Sequence, residues 1–259
     1  MLSACRRPSE IALAYRPVDV HADFRSKWER VEIHEQAIRS TMTGAIVATE
    51  ALVRWRRDPG ELWAAAMVFP IAEEAGLAAA FSRRALEMSI VAWTNSTRRA
   101  DGSRLALNMH QTQLEGSDPI HELVGMCNDL GVSPTELIFE IPDQFGTAGC
   151  RTAVATLAPM LEAGATIALD DHRGEASQTR PGPDWLPTGS IVKLDAAITD
   201  LCDHPLGKTV LEQTAGQLLD QGYVVGAEKI ERPEQFRAAR ECGVTLAQGH
   251  LLDPPSLLT

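Results

Sequence analysis

Five carboxylates, Glu50, Glu140, Asp170, Asp171 and Glu228, close short apolar runs of this chain, and two amides, Asn108 and Gln248, and one lysine, Lys193, sit at the ends of others. The seven runs are GAIVATE, RLALN, ELIFE, TIALDD, IVKLD, YVVGAE and VTLAQG. Carboxylates gathered at one place repel one another and lose ionisation unless a cation holds them. A donor set of Glu, Asp and Asn oxygens without Cys or His suits a hard divalent ion, Mg²⁺ or Mn²⁺, rather than zinc. Taken singly, each of these residues would serve equally well as a helix N-cap or a solvated loop residue. Seven such endings in succession argue for a shared rim.

The elements that deliver them follow from the pattern. Runs of four to six residues rich in Val, Ile and Leu, with little alternation, are strands buried on both faces, as a parallel sheet requires. Each is followed by a segment of helical period. After Asp195, Val210, Leu211, Ala215, Leu218 and Leu219 form one apolar side of a helix that also carries Glu212, Gln213 and Asp220. Strands alternating with helices predict an α/β fold of one domain, a TIM-like (β/α)8 barrel, with the chemistry at the C-terminal ends of the strands.

With the strand ends in hand, a resemblance is legible. Glu50-Ala51-Leu52-Val53-Arg54-Trp55 resembles the EALLRW signature of EAL domains, bacterial phosphodiesterases of the second messenger cyclic di-GMP. The similarity continues in order through FPIAEEAGL from Phe69, LALNMHQTQL from Leu105, LIFEIPD from Leu137, IALDD from Ile167, VKLD from Val192, AEKIE from Ala227 and QGHLLDPP from Gln248. It covers about residues 31 to 255. A co-linear series of this length is specific where a lone E-A-L would not be.

The resemblance implies a set of roles. Glu50, Asn108, Glu140 and Asp170 would coordinate one metal ion; Asp170, as the bridge, Asp171 and, through water, Glu228 would hold a second. The ions would be Mg²⁺ or Mn²⁺, with Ca²⁺ inhibitory. Lys193 would hold or help deprotonate the attacking water, and Glu228 is the candidate for proton transfer. Arg54 and the backbone near Leu52 would contact phosphate, while Gln36, in HEQAI where the family has YQPI, and Gln248 would reach the edges of the ligand. The product implied is linear pGpG.

Several positions depart from the family's pattern. Where it reads DDFGTGYSS, this chain has Asp170-Asp171-His172-Arg173-Gly174-Glu175-Ala176-Ser177-Gln178. Arg173 stands where a glycine would adopt a positive φ cheaply. EITE becomes Glu140-Ile141-Pro142-Asp143, which shortens the glutamate that anchors that loop, and AEGVE becomes Ala227-Glu228-Lys229-Ile230-Glu231, which adds a cation beside the site. Residues that support metal ligands are worth about 10–100-fold in affinity or activity. Two readings follow: a working phosphodiesterase with an altered loop, or a catalytically weak or inactive receptor of cyclic di-GMP or protein-interaction module. Retention of Glu50 and the paired aspartates favours the first.

Composition fits one large core: 259 residues, 44% hydrophobic. The net charge of −11 argues against a DNA or RNA surface, which needs clustered Lys and Arg. Cys5, Cys127, Cys150, Cys202 and Cys242 form no CxxC pair and are odd in number, which fits buried or free thiols in a reducing cytoplasm. No run of apolar residues is long enough to span a membrane, and no leader of the usual form precedes Cys5. The expected organisation is an extension over residues 1–30, with a helix around Val20 to Arg30, and a barrel over 31–259. A homodimer or a regulatory protein partner is compatible with it, and the Pro/Gly-rich stretch Thr179 to Gly189 is a candidate partner surface. Arg98 and Arg99 read as a solvated helix end.

Overall fold

The computed structural model describes residues 17–58, 60–114, 118–173, 183 and 185–258. Cys5, most of the loop after His172 and much of the stretch from Thr179 lie outside the described residues. Eight strands close into a barrel. In chain order the strands are β1 (Val31–Ser40), β2 (Ile46–Asp58), β3 (Glu61–Ala64), β4 (Arg104–Asn108), β5 (Leu137–Pro142), β6 (Thr166–His172), β7 (Ile191–Leu194), β8 (Val224–Ala227), β9 (Leu246–Ala247) and β10 (Ser256–Leu257). β2, β4, β5, β6, β7, β8 and β9 pair in parallel around the barrel, and β1 closes it between β9 and β2.

Each of the seven apolar runs is one of the parallel strands. The eighth strand breaks the repeat. β1 runs antiparallel to both neighbours and turns into β2 without a helix between them. A tight hairpin can only reverse the chain, and a parallel neighbour would have needed a crossover. β1 also alternates, VEIHEQAIRS, unlike the continuous apolar runs, which is why the parallel pattern does not reveal it.

β2 is longer than the other strands because it continues past the rim, pairing with β1 on one edge and β3 on the other. Side chains alternate along it, so Glu50, Leu52 and Arg54 share one face while Ala51, Trp55 and Arg57 take the other. The second face is covered by α1 (Pro17–Lys27). Phe24 is fully buried and packs edge-to-face on Trp55 and on Phe81, both at 5.4 Å between ring centres. Arg57 meets Asp23 at 3.0 Å. Phe81 belongs to α3 (Ala78–Thr94), which follows α2 (Ala65–Glu74).

The remaining helices are α4 (Thr97–Ala100), α5 (Asp118–Leu130), α6 (Gly146–Glu162), α7 (Ala196–Thr199), α8 (Pro205–Asp220) and α9 (Pro233–Glu241). On α8, Leu211, Ala215 and Leu218 face the barrel as expected, but Val210 is 47% exposed. Its position lies one residue off the buried stripe, about 100° round the helix. Arg98 and Arg99 are not a solvated end: Arg99 binds Glu136 at 2.7 Å, and Arg98 approaches Glu35 and Asp253.

Inside the barrel, Ala48, Ala106, Ala168 and Gly226 put small side chains where bulky branched residues usually fill a layer. A cavity of about 190 Å³ results, running among Ile38, Ile138, Ile191 and Leu246 up to Glu140 and Lys193. Cys127, Cys150, Cys202 and Cys242 are buried and stand outside any disulfide among the described residues. Among the described residues no helix is long and apolar enough to cross a membrane.

Candidate active site

Closure of the barrel brings strand ends far apart in sequence to one mouth. Register sets the heights: Glu50 of β2 is level with Ala106, Asn108 of β4 with Glu140 of β5, and Pro142 of β5 with Asp170 of β6. Lys193 projects from β7 into this ring. Its ammonium lies 2.6 Å from Glu228 Oε1, 2.8 Å from Asp170 Oδ1, 3.0 Å from Glu140 Oε1 and 3.8 Å from Glu50 Oε2. Four carboxylates from four strand ends therefore surround one buried cation.

The rest of the ring is tied to Glu50. Asn108 Nδ2 donates to Glu50 Oε1 at 2.6 Å, and Gln248 Nε2 donates to Glu50 Oε2 at 2.5 Å and to Gln36 Oε1 at 3.1 Å. Gln36 Nε2 in turn donates to the Asp253 carbonyl at 2.8 Å, while the Asp253 carboxylate accepts from Ala37 N. Asp253 thus fastens β1 at the mouth, a role that nothing in its local pattern marks. Gly249, after Gln248, is a place where only glycine fits, since a Cβ there would stand 2.2 Å from Ile230 N.

Burial and mutual charge set the protonation of the ring. Burial drives Glu140 well above the usual carboxylate range, and the charges of Glu50, Asp170 and Glu228 push the same way against the Lys193 ammonium. Burial likewise raises Glu228 to about 8, opposed by Lys193 and reinforced by Asp170 and Glu50. Asp170 goes the other way: burial resists its ionisation, but contact with Lys193 outweighs it and holds the carboxyl below its ordinary value. Lys193, despite complete burial, is pushed well above the normal lysine value by the four acids.

Other expected residues stand apart from the ring. Asp171 is turned from Lys193 by a left-handed backbone, φ 54°, and its Oδ1 meets Lys229 Nζ at 3.2 Å. Lys229 also has a left-handed backbone, φ 52°, and reaches Asp195 Oδ2 at 3.8 Å. Arg54 lies on the Glu50 face of β2 with its guanidinium on the Val53 carbonyl at 3.0 Å. Leu52 is half-buried between them. His172 Nδ1 is 3.1 Å from Asp143 Oδ2, so the shortened acid after β5 and the altered residue after the aspartates meet each other. His110 stacks on Phe69 at 4.4 Å.

The donors fit a hard divalent cation. Every candidate ligand atom is oxygen, and Glu140 Oε2 is fully buried with no hydrogen-bond partner. A buried, unpartnered carboxylate oxygen is costly and calls for a cation. Among the described residues no trio of Asp, Glu, His or Cys is arranged round a common point ready for a metal, because the Lys193 ammonium fills the centre. An ion there would take over the charge that Lys193 now neutralises.

Comparison with known proteins bears on the family and the fold. A cyclic di-GMP phosphodiesterase of Pseudomonas aeruginosa is 28% identical over 216 residues, 83% of this chain and 36% of that protein. An uncharacterized protein of Mycobacterium tuberculosis is 30% identical over 220 residues, 82% of this chain and 34% of its own length. The chain spans about a third of the length of these curated relatives. Among solved structures, the FimX EAL domain of Pseudomonas aeruginosa bound to cyclic di-GMP superposes with a TM-score of 0.81 at 19% identity, over 92% of this chain and 96% of that one. A Klebsiella pneumoniae BlrP1 complex with manganese and cyclic di-GMP gives 0.74 at 20%, over 88% of this chain and 56% of that one. The likeness to the solved structures shows the barrel, and the EAL domain model matches residues 23–255, nearly the whole of it: the chain belongs to the EAL domain family.

Proposed function

We propose that this chain is a metal-dependent phosphodiesterase that opens cyclic di-GMP to linear pGpG. The observation that carries the reading is the ring of Glu50, Glu140, Asp170 and Glu228 around buried Lys193 at the mouth of the barrel. Glu50, Asn108, Glu140 and Asp170 would hold one Mg²⁺ or Mn²⁺, and Asp170, Asp171 and Glu228 would face a second. Bound there, divalent ions lower the pKa of water and neutralise charge on the phosphate and the leaving oxygen.

The protein's own groups supply the remaining steps. Lys193, projecting from β7 into the ring, would orient a water for in-line attack. Glu228, in contact with Lys193 at the mouth, is the candidate for proton transfer. Arg54 swings from the Val53 carbonyl to a phosphate oxygen, and Gln36 and Gln248 exchange their mutual hydrogen bond for the edges of a guanine. Family membership and the cyclic di-GMP named for its relatives support the substrate.

The test is chromatography of cyclic di-GMP incubated with the purified protein and Mg²⁺ or Mn²⁺. Formation of pGpG by the native protein and its loss in Glu50→Ala are expected; equal turnover in the two would overturn the reading. A second reading, a receptor that binds cyclic di-GMP without cleaving it, draws on the engagement of Asp171 by Lys229. Calorimetry in Ca²⁺ beside the turnover assay separates them: both readings predict binding, and only the phosphodiesterase forms pGpG when Mg²⁺ or Mn²⁺ is supplied.

A further inference from the structure

Two ammonium groups face the acids of the mouth, and they differ in kind. Lys193 is buried in the ring, whereas Lys229 approaches from outside and is 57% exposed along its side chain. Lys229 is bonded to Asp171, the neighbour in sequence of the Asp170 that Lys193 contacts. The acids near it are Asp171 at 3.2 Å and Asp195 at 3.8 Å, with Glu228 next in sequence; Arg173 Nε adds a second cation 3.9 Å from Asp195 Oδ2.

The backbone is arranged for this contact. Among the described residues, Asp171 and Lys229 are the two non-glycines with a left-handed φ. Such a conformation is unfavourable for a residue with a Cβ and persists where the surroundings enforce it. They are enforced here: Ile230 N donates to the Gln248 carbonyl at 3.0 Å and the Ile230 carbonyl accepts from Leu251 N at 3.0 Å, which fixes the turn that carries Lys229. The strain is borne while the two side chains are brought together.

We propose that Lys229 is a built-in competitor for the second divalent ion: its ammonium occupies Asp171, so that the first ion binds tightly and the second position fills only at higher metal concentration. The inference rests on the metal-dependent reading above. Because its stem is largely in water, Lys229 can withdraw from Asp171 without being stripped of solvent, as a buried lysine could not. The device makes occupancy of the second position respond to divalent-ion supply.

Calorimetric titration of the purified chain with Mn²⁺ alone tests this. The native protein is expected to show one tight and one weak event, with the weak one tightened by about tenfold or more in Lys229→Met, the scale of effect seen for groups around metal ligands. Lys229→Met removes the charge and keeps the strained backbone; Lys229→Gly removes both and suits the positive φ; Lys229→Arg keeps the charge and should behave as native. An unchanged second affinity in both Lys229→Met and Lys229→Gly, with the first event intact, would overturn the competition and leave the metal reading standing. No Mn²⁺ bound by any of the proteins would overturn both.

Discussion

Glu228 is held in a protonation state far from that of a free glutamate. Unfolded it titrates near 4.5, and folded, without metal, burial keeps its proton up to about 8. Between those values the native state binds more protons than the unfolded chain, so stability is full below the lower value and falls as pH rises through the upper one. Melting of the metal-free protein across that window should show Tm declining with pH, and Glu228→Gln should flatten the decline; a Tm that rises with pH in both would contradict the assignment. Ligands must shed their protons to bind a cation. Mn²⁺ binding should therefore release protons and tighten as pH climbs, a dependence read from calorimetry in buffers of different ionisation enthalpy.

Among the elements, α1 and the loop after β6 invite the sharpest tests. α1 is anchored by Phe24, fully buried between Trp55 and Phe81. Truncation of a buried aromatic costs about 3–5 kcal/mol. Phe24→Ala should lower the urea midpoint accordingly, and because Trp55 lies on β2 just beyond Glu50, turnover should suffer before the fold is lost. The two altered segments after β5 and β6 meet through Asp143 and His172. A double-mutant cycle on this pair should show a coupling of about 0.5–1 kcal/mol, as contacting residues do; additive losses would mean that the two changes arose independently.

For the molecule as a whole, the net charge of −11 and the acidic ring should, on the proposed reading, make divalent cations a stabilising ligand. A ligand that binds only the native state adds about 2.7 kcal/mol at a hundredfold excess over its Kd. Mn²⁺ or Mg²⁺ should raise Tm with concentration, and Glu50→Ala should abolish most of the rise. The ring is assembled from β2, β5, β6, β7 and the end of β8, so loss of any one of these closures removes it. That dependence on closure distinguishes the barrel from a site carried by one loop.

The chain's local patterns determined much of this. Seven apolar runs ending on polar residues announced the parallel strands, and the chemistry of those endings was legible because strand direction alone places them at one rim. The sequence also carried Lys229 as an added cation, without saying where it would go. Closure decided the rest. The antiparallel course of β1 follows from a hairpin that the alternating pattern does not announce, and Asp253 holds Gln36 across 217 positions. Lys193 lies at the centre of the acids, and Lys229 meets Asp171 from 58 positions away, because each contact depends on how the barrel closes. Periodicity reports neighbours within one element, whereas these pairings are fixed by register and by buried charges seeking partners.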